Sequence, residues 1–218
     1  MYRYIFFDLD GTLTDSKEGV IKSARYAIEK LGSPQPDDAT MLKFVGPPLA
    51  DSFMEYCGYS REKALEAVEV YRERYVPIGL YENRAAPGAA ELLARLKERG
   101  CVMALASSKP EVMCEKVCER FGFAPYLAAI CGSPLHGECT KADVIRMAMD
   151  RLGLGEADKK DILMVGDRKY DILGAAECGI DCLGLTLFHY AEPGELEAAG
   201  VKALAKDLTE VERYILEK

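Results

Sequence analysis

Short, strongly apolar runs recur along the chain at Tyr4–Phe7, Val102–Ala106, Ala128–Cys131, Ile162–Val165 and Cys182–Leu187. Runs of this length with few polar interruptions suit strands buried on both faces, as in a parallel sheet covered by helices. Helical patterns lie between them, at Pro87–Gly100, Pro110–Gly122, Thr140–Gly153 and Tyr170–Gly179. Three of these open on Pro or Thr and all four close on Gly, as helix start and stop chemistry predicts. The alternation of strand and helix predicts an α/β fold, a three-layer Rossmann-like core around a mainly parallel sheet.

From about Asp15 to Ala85 that rhythm breaks, because no strand-like run interrupts the helical periodicity. Val20, Ala24, Ala27, Ile28 and Leu31 fall at offsets of 4, 7, 8 and 11, one face of a helix. Glu62–Val76 predicts another helix, with Leu65, Val68, Tyr71, Arg72 and Tyr75 as its stripe, and Gly46-Pro47-Pro48 breaks the region between. The simplest organisation is a core made of residues 1–14 and 86–218, with residues 15–85 inserted after the first strand as an all-helical domain. No internal repeat or low-complexity tract is present.

Charge narrows the partners. Among 218 residues, 28 Lys and Arg stand against 36 Asp and Glu, a net charge of −8. No basic excess exists to neutralise phosphates, so neither nucleic acid nor an anionic membrane is expected as a partner. The apolar run at the N-terminus is too short for a signal sequence, and no other stretch could span a bilayer, so a cytoplasmic location is expected. The eight cysteines are scattered through a chain long enough to need no disulfide staples, and reduced thiols that fill core space are expected. Cys114/Cys118 and Cys178/Cys182 are each four apart and lack the CxxC spacing of structural zinc sites.

Candidate chemistry gathers where the apolar runs end. The first run leads into Asp8-Leu9-Asp10-Gly11-Thr12. Asp8 and Asp10 share a face of an extended chain, at the strand end where open α/β sheets bind ligands, although a strand end and a solvated turn would read the same. Gly166-Asp167-Arg-Lys-Tyr-Asp171 repeats the theme after the fourth run, with Asp171 also suited to a helix N-terminus. Gathering four carboxylates at one sheet edge demands a hard cation such as Mg²⁺. Ser107 and Ser108 follow the second run and offer hydroxyl and N–H groups before a helix, where Ser108 could equally be a plain cap. Lys141 opens a later helix; alone it reads as a solvated lysine.

In that order, Asp-x-Asp-Gly-Thr, a Ser after a strand, a Lys and Gly-Asp-x-x-x-Asp resemble the haloacid dehalogenase superfamily of phosphohydrolases, most closely its phosphoglycolate phosphatase-like branch with a helical cap. The resemblance spans nearly the whole chain. It implies that Asp8 is the nucleophile, that Asp10 protonates the leaving oxygen and then activates water, and that Ser107, Ser108 and Lys141 hold the phosphate. It further implies Mg²⁺ held by Asp8, the carbonyl of Asp10 and Asp167, with Asp171 holding a water there or standing behind the ligands. The substrate would be a small phosphorylated metabolite (phosphoglycolate, a nucleotide or a sugar phosphate), handled by a monomer or weak homodimer. The cap would read the substrate beyond its phosphate near Lys43–Pro48, while Leu187–Gly194 departs from the glycine-rich loop of relatives and His189 is read as a packing or surface residue. A sugar-phosphate mutase would use the same two carboxylates, and Thr12 after Gly11 favours hydrolysis over it. A non-catalytic regulatory protein on this fold would be marked by a lost motif residue, and none is lost.

Overall fold

The computed structural model describes residues 1–136 and 139–217. The chain divides into two compact units, Met1–Thr14 with Ala85–Lys218, and Asp15–Arg84.

The first unit is built on β1 (Tyr4–Phe7), β4 (Val102–Pro110), β5 (Leu127–Ser133), β6 (Ile162–Gly166), β7 (Asp181–Leu185) and β8 (Ala203–Ala205), in the order β5-β4-β1-β6-β7-β8. Every pairing in this sheet is parallel. β1 lies at the centre, with Tyr4 opposite both Val102 and Ile162, so the three strands that carry candidate residues are neighbours. Ile5, Phe6 and Phe7 are fully buried, which is why this strand reads as an unbroken apolar run. On one sheet face Phe6, Ala104 and Met164 stand in register and pack with Ile145 and Ala148 of α7 (Lys141–Arg151) and Ile172 and Ala175 of α8 (Lys169–Cys178). Helices α5 (Ala89–Glu98) and α6 (Glu111–Arg120) follow the pattern of the sequence, and α9 (Glu195–Ala198) and α10 (Leu208–Glu217) complete the unit. The fold is the α/β parallel-sheet architecture that the alternation predicted.

The second unit contains α1 (Lys17–Lys30), α2 (Asp38–Leu42), α3 (Leu49–Cys57) and α4 (Arg61–Tyr75). Asp37 and Ser60 cap α2 and α4 by accepting from the N–H groups of Thr40 and Lys63, and Gly58 ends α3 in the left-handed conformation. α1 packs on α4, and α4 on α3. Val20, Ala24, Ala27 and Ile28 are buried as their spacing predicted. On α4 the buried set is Ala64, Ala67, Val68, Tyr71 and Tyr75, while Leu65 is half exposed. The expected stripe is corrected here because small alanines, not Leu65, face the packed side. Where the chain passes between the units, β2 (Thr14–Asp15) and β3 (Arg84–Ala85) form a two-residue ribbon, so the insert begins and ends in extended structure that has no apolar run to announce it.

All eight cysteines are free; Cys57 and Cys139 are partly exposed and the other six are buried. Among the described residues no helix is long and apolar enough to cross a membrane.

Candidate active site

The sheet delivers Asp8 one residue past β1, where its N–H donates to the carbonyl of Val165 at 2.9 Å. The chain then turns sharply. The carbonyl of Leu9 accepts from the N–H groups of Leu13 and Thr14 at 3.0 and 2.9 Å, and Gly11 adopts φ +90°. That conformation favours glycine, and a Cβ at position 11 would lie 2.1 Å from Asp167 Oδ2. Gly11 therefore lets the Asp167 carboxylate lie against the turn. Gly166 does the same for the other acid, since a Cβ there would lie 2.2 Å from Asp171 Cγ.

Asp8, Asp167 and Asp171 converge, each with one carboxylate oxygen within 4.8 Å of the others. Lys141, the first residue of α7, reaches into this cluster and is only 7% exposed. Its Nζ donates to Asp8 Oδ1 at 2.7 Å and to the carbonyl of Ala106 at 3.0 Å, and is ion-paired with Asp171 Oδ1 at 2.8 Å. The solvated-lysine alternative is thereby corrected. Thr140 caps α7 through a capping box with Asp143, which fixes Lys141 at the helix entrance.

Burial raises Asp8 above the usual carboxylate range, and Lys141 only partly offsets it against the further repulsion of Asp171 and Asp10. Burial also raises Asp167 well above that range, with Asp171 and Asp8 adding to the effect. Burial alone would lower the Lys141 ammonium, but the charges of Asp171 and Asp8 outweigh it and raise it. Thr12 donates its hydroxyl to Asp167 Oδ1 at 3.3 Å, while Oδ2 is buried with no hydrogen-bond partner among the described residues. A buried, unsatisfied carboxylate oxygen beside two further carboxylates has the chemistry that hard divalent cations require. The residues present fit Mg²⁺.

The carboxylate of Asp10 does not join this cluster. It pairs with the ammonium of Lys109 and accepts from the Thr14 hydroxyl at 3.4 Å. Lys109 was missed in the sequence. Its signal was its position two residues after Ser107, and nothing local distinguished it from an exposed lysine, although its side chain is only 6% exposed.

Ser107 is buried at the end of β4 and its hydroxyl accepts from the Lys109 N–H at 3.4 Å. β4 continues to Pro110, and α6 begins at Glu111 with Pro110 as its capping residue, so the expectation that Ser108 caps the helix is corrected. The extension arises because β5 keeps pairing across an irregularity between Ser107 and Pro110, and the Ser133 hydroxyl donates to the Ser108 carbonyl at 2.9 Å. Asp171 does act at its helix entrance, where Oδ2 accepts from the Arg168 N–H at 3.0 Å. Asp171 therefore serves the helix and the cluster together. His189 is exposed.

The family model described as haloacid dehalogenase-like hydrolase matches residues 5–185. The chain is 41% identical over 217 residues to a 5'-nucleotidase of Pseudomonas aeruginosa, covering 99% of this chain and 96% of that protein. It is 28% identical to a phosphoglycolate phosphatase of Vibrio parahaemolyticus, covering 96% and 94% of the two chains. Among solved structures, a predicted phosphatase from Clostridium acetobutylicum superposes with a TM-score of 0.93 at 40% identity, covering 100% of both chains. A family match over most of the chain and 41% identity to a relative covered almost end to end lead to one conclusion: this protein belongs to the haloacid dehalogenase-like hydrolases and is a phosphatase of that family.

Proposed function

We propose that the protein is a Mg²⁺-dependent phosphatase that hydrolyses a small phosphomonoester through an aspartyl-phosphate on Asp8. The observation that carries this reading is the Asp8 carboxylate, buried beyond the central strand, 2.7 Å from the Lys141 ammonium and beside the unsatisfied Oδ2 of Asp167. In the first step an Asp8 oxygen attacks phosphorus, the bond from phosphorus to the leaving oxygen breaks, and Asp10 gives that oxygen a proton. In the second, water attacks the same phosphorus while Asp10 takes its proton. The bond between Asp8 and phosphorus breaks, releasing inorganic phosphate.

Lys109 and Thr14 hold the Asp10 carboxylate apart from the acidic cluster. Ser107, Ser108 and Lys141 are assigned to the phosphate oxygens, Lys141 by exchanging a carboxylate contact for one to phosphate. Mg²⁺, assigned to Asp8, the Asp10 carbonyl and Asp167 with Asp171 behind them, would supply the positive charge that lets an anionic nucleophile meet an anionic phosphate.

The helical unit, residues 15–84, is assigned the reading of the substrate beyond its phosphate. The names of the similar proteins make a 5'-nucleotide and phosphoglycolate the leading candidates. Eight free thiols suit a reducing cytoplasm.

The test is phosphate release from 5'-nucleotides, phosphoglycolate, sugar phosphates and pyrophosphate, with Mg²⁺ and with chelator, for the wild type and Asp8→Asn. Metal-dependent release that falls at least about 1,000-fold in the folded variant is expected. A variant retaining wild-type turnover would end the mechanism. An isomerised sugar phosphate formed without free phosphate would move the assignment to a mutase, and silence across the panel to a binding protein.

A further inference from the structure

Arg168 and Glu195 form an ion pair that the reaction scheme above does not use, with only 5% and 9% of their side chains exposed. Arg168 Nε donates to Glu195 Oε1 at 2.9 Å and its Nη2 donates to Oε2 at 3.3 Å. The same carboxylate accepts from the backbone N–H groups of Lys169 at 3.0 Å and Glu192 at 3.2 Å. Burial alone would raise Glu195, but these bonds outweigh it and hold its carboxyl below the usual range. A buried pair with four bonds on one carboxylate is a costly feature, because both charges must leave water, and it is expected where geometry has to be fixed.

What it fixes is the turn that carries Asp167. On one side Asp171 holds the Arg168 N–H at 3.0 Å, and on the other Glu195 holds the Arg168 side chain and the Lys169 N–H. The backbone on the C-terminal side of Asp167 is thus clamped from two directions, while the Asp167 carboxylate keeps one buried oxygen unsatisfied. The clamp also anchors the segment that follows β7. There His189 adopts φ +55°, a left-handed conformation uncommon for a residue other than glycine. Tyr190 is buried, Phe188 stacks on it at 5.8 Å, and the Glu192 N–H closes onto Glu195.

We propose that Glu195 is a positioning residue for the divalent cation: through Arg168 and the Lys169 N–H it sets how the Asp167 carboxylate is presented, and so sets cation affinity. This rests on the assignment of Asp167 as a ligand. Residues that orient metal ligands without touching the metal change affinity by about 10- to 100-fold when removed.

The experiment is calorimetric titration of Mg²⁺ into chelator-stripped protein, for the wild type, Glu195→Ala, Glu195→Gln and Arg168→Lys, with Leu196→Ala as a neighbouring core variant. The expected result is a Kd for Mg²⁺ raised about 10-fold or more in Glu195→Ala. Glu195→Gln, which keeps one acceptor oxygen, is expected to fall between Glu195→Ala and the wild type. Arg168→Lys, which keeps the charge beside Asp167 and loses the planar fork, is expected to weaken binding as well. In turnover assays the Glu195 defect is expected to appear in the Mg²⁺ concentration required, with kcat at saturating Mg²⁺ recovered. Equal Mg²⁺ affinity in the wild type and folded Glu195→Ala would overturn the inference alone. An equal loss in Leu196→Ala would overturn it too, as general destabilisation. Wild-type protein that binds no Mg²⁺ would overturn both the inference and the metal assignment beneath it.

Discussion

Lys141 shows how far a single side chain departs from its typical behaviour when its surroundings demand it. A lysine at the start of a helix is ordinarily solvated, yet this one is almost fully buried, donates to Asp8 and the Ala106 carbonyl and is ion-paired with Asp171. Replacing it with methionine fills similar space but leaves Asp8 and Asp171 facing each other without compensation. Lys141→Met is therefore expected to lose about 3–5 kcal/mol of stability near neutral pH without divalent cation, measured by urea unfolding. A variant as stable as the parent would show that the carboxylates are not held as charges. Asp8 itself was legible in the sequence, since a strand period of two and an abrupt change from apolar to acidic suffice to place it. Lys109 and the Arg168–Glu195 pair were not, because their partners lie 99 and 27 residues away along the chain.

At the scale of elements, helix entrances do much of the positioning. Thr140 accepts from the Asp143 N–H at 3.1 Å and the Asp143 carboxylate accepts from the Thr140 N–H at 3.0 Å, so α7 begins at Lys141, directly after its cap. Thr140→Ala removes the side-chain half of this box and is expected to cost about 1 kcal/mol, read as a shift in the urea midpoint at unchanged slope. A larger effect on Mg²⁺-dependent activity than on stability would show that the cap also aims Lys141. The strands and helices of the first unit were legible because apolar runs and terminal glycines mark them. Weaker elements escaped. β8 is three residues long, and α10, although strongly amphipathic, follows no apolar run of the kind that marks the other strand and helix pairs. The β4 extension through Ser108 and Lys109 was equally hidden, since pairing with β5 carried it past the point where the apolar pattern stops.

For the whole molecule, acid groups raised by burial couple stability to pH and to the proposed cation binding. Asp8 and Asp167 hold protons more tightly in the folded state than in the unfolded chain, where an aspartate titrates near about 4. Their contribution is therefore most favourable below that value and is lost as pH rises through the raised folded values. Without divalent cation, melting temperature is expected to fall over that interval, and Mg²⁺ is expected to raise it more at about pH 7.5 than at about pH 5, where protons already neutralise the cluster. Scanning calorimetry at the two pH values checks this; an equal Mg²⁺ effect at both would sink it. The sequence by itself determined the fold class, the helical character of the stretch read as residues 15–85 and the strand ends at which acids would gather. Each of these depends on local period, short-range turn chemistry or the order of motifs. Only the tertiary structure decided that Lys141 bridges two carboxylates, that Asp10 is drawn aside by Lys109, and that Glu195 clamps the turn bearing Asp167. Those contacts join residues that only the parallel pairing of β4, β1 and β6 and the packing around it bring together, and no window of sequence contains both partners.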